Sequence, residues 1–131
     1  MTDFDTRIVR NAIQTPDGTI IESNHRHDYV SHVDEVDGET YMVDGGLDYI
    51  RRSNAHKDLS VFMGDGHEVV RANLSWGTYG KDGTEPYHRI FLKDMETSHI
   101  QACLDTQHQM YPQVRESMET ELKYRESRGL E

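Results

Sequence analysis

Arg7-Ile8-Val9-Arg10-Asn11-Ala12-Ile13, then Pro16-Asp17-Gly18, then Thr19-Ile20-Ile21, is the stretch that sets the fold class of this chain. Two β-branched, apolar runs flank a Pro-Asp-Gly turn. Pro presets one turn residue, Asp bonds its own backbone, and Gly accepts a left-handed conformation. The reading is strand, tight turn, strand. Working outward, Tyr29 to Asp34 reads as a third strand, and Asp37-Gly38 turns it into a fourth, Glu39 to Val43. A short strand is expected at Leu59 to Phe62, before the turn residues Gly64-Asp65-Gly66. Val69 to Tyr79 follows no single pattern, although its second half reads as a strand. Lys81-Asp82-Gly83 then turns the chain into Tyr87 to Leu92. Strands at such short spacing point to an antiparallel meander.

From Asp94 the period changes. Thr97 or Ser98 can cap a helix that carries Ile100, Cys103 and Leu104 on one face and ends near Gln107 to Met110. Pro112 suits the first turn of a second helix, and Gly129 is its expected stop. Val114, Met118, Leu122 and Arg125 make one narrow stripe along it. The predicted architecture is α+β: an N-terminal antiparallel sheet over residues 7–93 and two C-terminal helices over 94–128, in a single domain of 131 residues.

Only 34% of the residues are hydrophobic and 29% are charged, so the expected core is small and a second subunit could cover what remains apolar. A net charge of −10 argues against general binding of long nucleic acids, which draws on cationic surface. It leaves room for a small anionic ligand in a locally positive pocket. The lone Cys103 excludes an internal disulfide and fits a reducing cytosol. No apolar run approaches the ~20 residues of a membrane span. The start, Met1 to Asp5, has no signal-peptide pattern, and a cytoplasmic location is expected.

Gly45-Gly46-Leu47-Asp48-Tyr49-Ile50-Arg51-Arg52 is a local exception in this acidic chain. Arginine offers a planar fork of donors for phosphate or carboxylate, and tyrosine offers a stacking face. The same two residues can equally neutralise nearby acids. Trp76-Gly77-Thr78-Tyr79-Gly80-Lys81 reads either as a stacking wall at a hairpin tip or as a sheet anchor beside an ordinary turn. Tyr124, Arg125 and Arg128 can close a pocket, or Arg125 can simply support its helix by pairing with Glu121 four residues earlier. His25, His27 and Asp28, with His32 nearby, form the candidate metal cluster, since His25 and His27 share a face if the segment is extended. A polar loop with hydrogen-bonding histidines is the alternative. Cys103 sits at apolar spacing and reads as core. No nucleophile elbow or phosphate-binding loop motif occurs, so no cofactor or catalytic residue is assigned.

Several segments together carry a resemblance. They are Arg10-Asn11-Ala12-Ile13, Thr15-Pro16-Asp17-Gly18-Thr19, His25-Arg26-His27-Asp28-Tyr29-Val30, Tyr41-Met42-Val43-Asp44-Gly45-Gly46, and Asp48-Tyr49 with Arg51-Arg52 one residue further on. Trp76-Gly77-Thr78, Gly80 to Gly83, His99-Ile100, Asp105-Thr106-Gln107, and Glu121-Leu122 with Tyr124-Arg125 extend it over about residues 10–125. The chain resembles a family of small proteins encoded by tailed bacteriophages. In size, origin and layout it is similar to the Thoeris anti-defence sponge proteins of the first type. Those have an antiparallel sheet followed by two C-terminal helices through which they assemble. They capture cyclic ADP-ribose isomers made by TIR-domain enzymes without degrading them, and some capture cyclic oligonucleotides at separate sites.

No pocket residue is carried over by position. The resemblance implies aromatics for adenine and arginines for pyrophosphate near a subunit interface. The residues of that chemistry here are Tyr49, Arg51, Arg52, Trp76, Tyr79, Tyr124, Arg125 and Arg128. The expected protein is thus a non-enzymatic, homo-oligomeric sponge for a small cyclic nucleotide. Two alternatives stand beside it: a metal-dependent hydrolase using His25, His27 and Asp28 or His32, and an acidic inhibitor of a host protein.

Overall fold

The computed structural model describes residues 4–54, 56–80 and 82–130. The fold is mixed α+β with antiparallel sheets, and the chain divides into two compact units, the first running through Gly64 and the second beginning at Asp65. Among the described residues no helix is long and apolar enough to cross a membrane.

The first unit is built on β1 (Ile8–Gln14). It pairs with β2 (Ile20–Ser23) in the register Ile13↔Ile21 and Asn11↔Ser23, which is the expected hairpin. β3 (Val30–Val33) and β4 (Thr40–Asp44) form the second expected hairpin, with His32↔Tyr41 and Val30↔Val43. β5 (Arg51–Arg52) extends that sheet on the far side of β4. The other edge of β1 takes β6 (Lys57–Asp58) and β7 (Val61–Phe62). Ile13, Ile21, Tyr41 and Val43 make the core, with Val30 packed against it. β1 is therefore paired on both edges, and Val9, Ala12 and Ile13 are all buried. The single meander expected from spacing is replaced by separate sheets, because β1 collects late strands that are distant in sequence.

The second unit departs further from expectation. Val69 to Tyr79 resolves into a helix, α1 (His67–Asn73), and a strand, β8 (Ser75–Thr78). β8 pairs only with β9 (His88–Phe91) in the described residues. A short 3-10 turn over Leu92–Asp94 leads to α2 (Thr97–Thr106), and α3 (Pro112–Ser127) follows. The described helical part thus has three α-helices, and the C-terminal pair is a subset of it.

Pro112 does open α3, and Gly129 just beyond its end has φ +67, the left-handed stop expected there. The expected Thr97 or Ser98 cap does not form. Glu96 holds the N-cap position without a side-chain cap bond, while Thr97 Oγ1 accepts Arg125 Nη1 at 2.9 Å. α3 packs against both α1 and α2. Val70, Leu74, Leu92, Met95, Ile100, Cys103, Val114 and Met118 are buried, so the stripe read from α3 points inward.

Candidate functional site

The Gly45-Gly46 turn is held by buried polar groups of the same unit. Asn11 Nδ2 donates to the carbonyls of Asp44 (2.9 Å), Gly46 (3.0 Å) and Tyr49 (3.3 Å). Ser23 Oγ accepts the Gly46 amide at 2.9 Å and donates to the Asp28 carbonyl at 2.6 Å. Gly46 has φ +56, and a side chain there would run into the His25 backbone. A side chain at Gly45 would meet the Tyr49 carbonyl and ring. Two glycines are needed because this turn passes against other backbone.

Arg52 is committed inside the unit, with Nη2 on Ser60 Oγ (2.9 Å) and Nη1 on Asp58 (3.0 Å). It ties β5 to the segment that carries β6 and β7. Tyr49 is 39% exposed, and Arg51 is exposed on the edge strand β5.

The extended geometry that would aim His25 and His27 together does not occur. They lie at exposed positions in a bend and turn, and the Asp28 amide donates to the His25 carbonyl at 2.9 Å. Asp28 Oδ2 accepts the Asn24 amide at 2.9 Å. His32 instead places Nε2 2.8 Å from Asp17 Oδ2. Asp17, His32 and Asp34 bring ligand-type atoms within 4.8 Å of one another. Their bonds show what they do. The Asp17 amide donates to Asp34 Oδ1 and the Glu35 amide donates to Asp17 Oδ2, both at 2.9 Å. Asp17 Oδ1 also takes Thr15 Oγ1 and the Thr19 amide, and Asp34 Oδ2 takes the amides of Val36 and Asp37.

The two hairpin turns are thereby clasped to each other. Bonds from Thr19, the Glu35 amide and His32 hold the Asp17 carboxyl well below its usual range. Burial pushes Asp34 up, but the amides of Asp17 and Asp37 and the Thr15 side chain outweigh it and hold it below its usual range. A cation here would have to displace these bonds.

In the second unit, the β8–β9 hairpin presents two unlike faces. Register pairs Gly77 with Arg89, Trp76 with Ile90 and Thr78 with His88. Side chains alternate along strands. Trp76 and Tyr79 therefore leave on opposite faces and cannot form one wall. Trp76 is half-buried. Tyr79 meets Tyr87 instead, with ring centroids 5.4 Å apart and the planes at 63°. Both rings stay open to solvent, Tyr79 at 58% and Tyr87 at 52% exposure. Tyr87 lies over Gly77, where any side chain would collide with its hydroxyl. Arg89 donates to that hydroxyl from Nη1 (3.2 Å), to Ser75 Oγ from Nε (2.8 Å) and to the Ser75 carbonyl from Nη2 (2.8 Å).

On the other face a cavity of about 260 Å³ is lined by Thr78, Glu85, His88, Asp94, Glu96 and His99, among others. Its carboxylates suit a cation and repel a phosphate. Lys81, named in the sequence reading of this hairpin tip, lies outside the described residues.

The third sequence candidate resolves into a buried network. Glu121 is 0% exposed. It takes Arg71 through Nε and Nη2 (both 2.8 Å), Arg125 Nε (2.7 Å) and His67 Nε2 (2.9 Å). Burial works against its charge, but these partners bring its pKa down to about 2. Arg125 is spent internally, since its remaining nitrogens go to Thr97 Oγ1 and the Leu92 carbonyl (3.1 Å). It anchors the helices and has no guanidinium nitrogen left without a protein partner. Tyr124 and Arg128 remain nearer the surface. The guanidinium carbons of Arg71 and Arg128 lie 4.5 and 3.9 Å from the Tyr124 ring centre, and the Tyr124 hydroxyl donates to Glu68 at 2.7 Å.

The eight sequence candidates thus divide between units: Tyr49, Arg51 and Arg52 in the first, and Trp76, Tyr79, Tyr124, Arg125 and Arg128 in the second. Within the second, the structure joins Tyr124 to Arg128 and gives Tyr79 a partner that was not anticipated. The missed residues are Tyr87, Arg89, His67 and Arg71. Tyr87 and Arg89 come beside Tyr79 only through the register that pairs Gly77 with Arg89, which the sequence of the connecting turn does not give. Nothing local links His67 or Arg71 to Glu121. In comparisons with known proteins, no family model, no curated protein and no solved structure matches the chain.

Proposed function

We propose that this chain is a capture protein: it binds a small cyclic nucleotide, a cyclic ADP-ribose isomer, and holds it without cleaving it, in the manner of a phage anti-defence sponge. The observation that carries this reading is the Tyr79–Tyr87 pair, two aromatic rings more than half exposed and set against each other over a glycine. Solvent-exposed tyrosines held in place offer a stacking surface at little ordering cost. In the same unit Arg128 lies over the Tyr124 ring as an exposed cation, 3.9 Å from Glu68.

The test is calorimetric titration with cyclic ADP-ribose isomers, followed by release of the ligand and mass analysis. Saturable binding with the ligand recovered intact is the expected result. Tyr79→Ala and Tyr87→Ala should each weaken it by ~1–3 kcal/mol, the worth of a stacked base. A cleaved product would replace capture with catalysis. Binding that neither tyrosine variant changes would remove the hairpin from the site.

A further inference from the structure

We infer that the cavity behind the β8–β9 hairpin is a separate binding site that takes a small linear diamine; it goes beyond the capture reading and uses none of the residues on which that reading rests. The cavity measures about 260 Å³. That is just under the ~300 Å³ at which pockets for drug-sized ligands begin, so its ligand is small. Thr78, His88 and Ile90 form one wall. They alternate with Gly77, Tyr87 and Arg89 and so face away from the tyrosine pair. Glu85 lines the cavity from the loop that joins the two strands. Asp94 comes from the 3-10 turn after β9, Glu96 from the N-cap of α2 and His99 from its first turn.

The lining is rich in acceptors. Among the described residues the carboxylates of Glu85 and Asp94 have no hydrogen bond or ion pair, and no lysine or arginine lines the cavity. Glu85 is held in place by its amide, which donates to the Tyr79 carbonyl at 2.8 Å, and its carboxylate lies against Gly80, where a side chain would collide with it. His88 adds a neutral acceptor. Its Nδ1 is 3.0 Å from the Pro86 carbonyl, which can only accept, so Nδ1 carries the proton and Nε2 of the neutral ring keeps its lone pair. The amino end of α2 brings about half a positive charge, which Glu96 at its N-cap and the two unpaired carboxylates outweigh. An ammonium group is the matching ligand, with three donors and no acceptor. A single metal ion is not. Among the described residues, three ligand-type groups come within 4.8 Å of one another only at Asp17, His32 and Asp34. The acceptors of the cavity stand apart on separate elements, which suits two ammonium groups joined by a methylene chain, with Ile90 as the apolar contact for that chain.

The experiment titrates the full chain by calorimetry with putrescine, butylamine and magnesium chloride at one fixed ionic strength. Putrescine should bind saturably, one per chain, and butylamine should bind about fivefold more weakly, the loss of one exposed ion pair. Magnesium should not displace putrescine. Glu85→Gln and Asp94→Asn should each lower putrescine affinity about fivefold, toward that of butylamine. Both side chains are exposed, so these variants keep the fold. Glu119→Gln, which removes an exposed acid on α3 outside the cavity, should change nothing. If putrescine and butylamine bind alike, if magnesium competes, or if Glu119→Gln weakens binding as much as the cavity variants do, the acidic chain is only attracting counterions and the inference is overturned. Full affinity in both cavity variants overturns it by placing the amine elsewhere, and so does an absence of putrescine binding. The capture reading is untouched by any of these results, since it is tested on Tyr79 and Tyr87.

Discussion

At the scale of single residues, the decisive question for each charged side chain is where its donors end up. Arg52, Arg89 and Arg125 all place donors on internal partners, but Arg52 and Arg125 reach a carboxylate whereas the acceptors of Arg89 are neutral. Glu121 shows the energetics most clearly. A fully buried carboxylate survives as an anion only because two guanidiniums and an imidazole face it. Removing its charge leaves Arg71 and Arg125 unpaired in the interior. Glu121→Gln should therefore destabilise the fold by roughly 3–5 kcal/mol in chemical or thermal unfolding.

The pH dependence has a definite sign. The folded pKa, about 2, is depressed from the ordinary 4.5, so the contribution is complete above 4.5 and is lost as pH falls from there toward 2. Stability of the native chain should drop across that window. The Glu121→Gln variant should show a flatter profile there, and an equal slope in both chains would assign the acid sensitivity to other groups.

Secondary-structure elements show how much local chemistry achieves. Both hairpins of the first unit form where Pro-Asp-Gly and Asp-Gly predict them, and Pro112 and Gly129 bracket the last helix. These signals act through the backbone of their own neighbours, which is why they are legible. α1 is not, because its seven residues carry adjacent β-branched valines and only Val70 is buried. Turns separate further by what lies around them. Gly18 has φ +91 with open space beside it, whereas Gly46 has φ +56 and sits against the His25 backbone. Gly18→Ala should cost only left-handed strain, ~1–2 kcal/mol. Gly46→Ala should cost distinctly more, since backbone cannot move aside as a flexible side chain does. Equal unfolding midpoints for the two variants would show that the Gly45-Gly46 turn can relax away from its latch.

For the whole molecule, the α3 stripe carries the main consequence. Val114 and Met118 are buried within their own unit, at 4% and 0% exposure, so this stripe is already occupied without a second copy. Met118→Glu should unfold the helical part, with a loss of roughly 3 kcal/mol or more from an unpaired buried charge. The far-ultraviolet helix signal and the mass in solution should be read together. A variant that keeps its helices and merely halves in mass would return α3 to the role of an assembly face. Any homo-oligomer of this chain is expected to use surface other than that stripe.

The amino-acid sequence by itself determined the α+β class, the hairpins around Asp17-Gly18 and Asp37-Gly38, the bracketing of α3 and the acidic character that disfavours long nucleic acids. Each of these follows from residues close together in the chain or from composition. Only the tertiary structure decided which partners each cation meets, and that Tyr87 and Arg89 stand beside Tyr79. A charge is neutralised, and a ring covered or left open, by whatever the fold brings to it. For Glu121 those groups lie as far as 54 residues away, at a distance that no local pattern encodes.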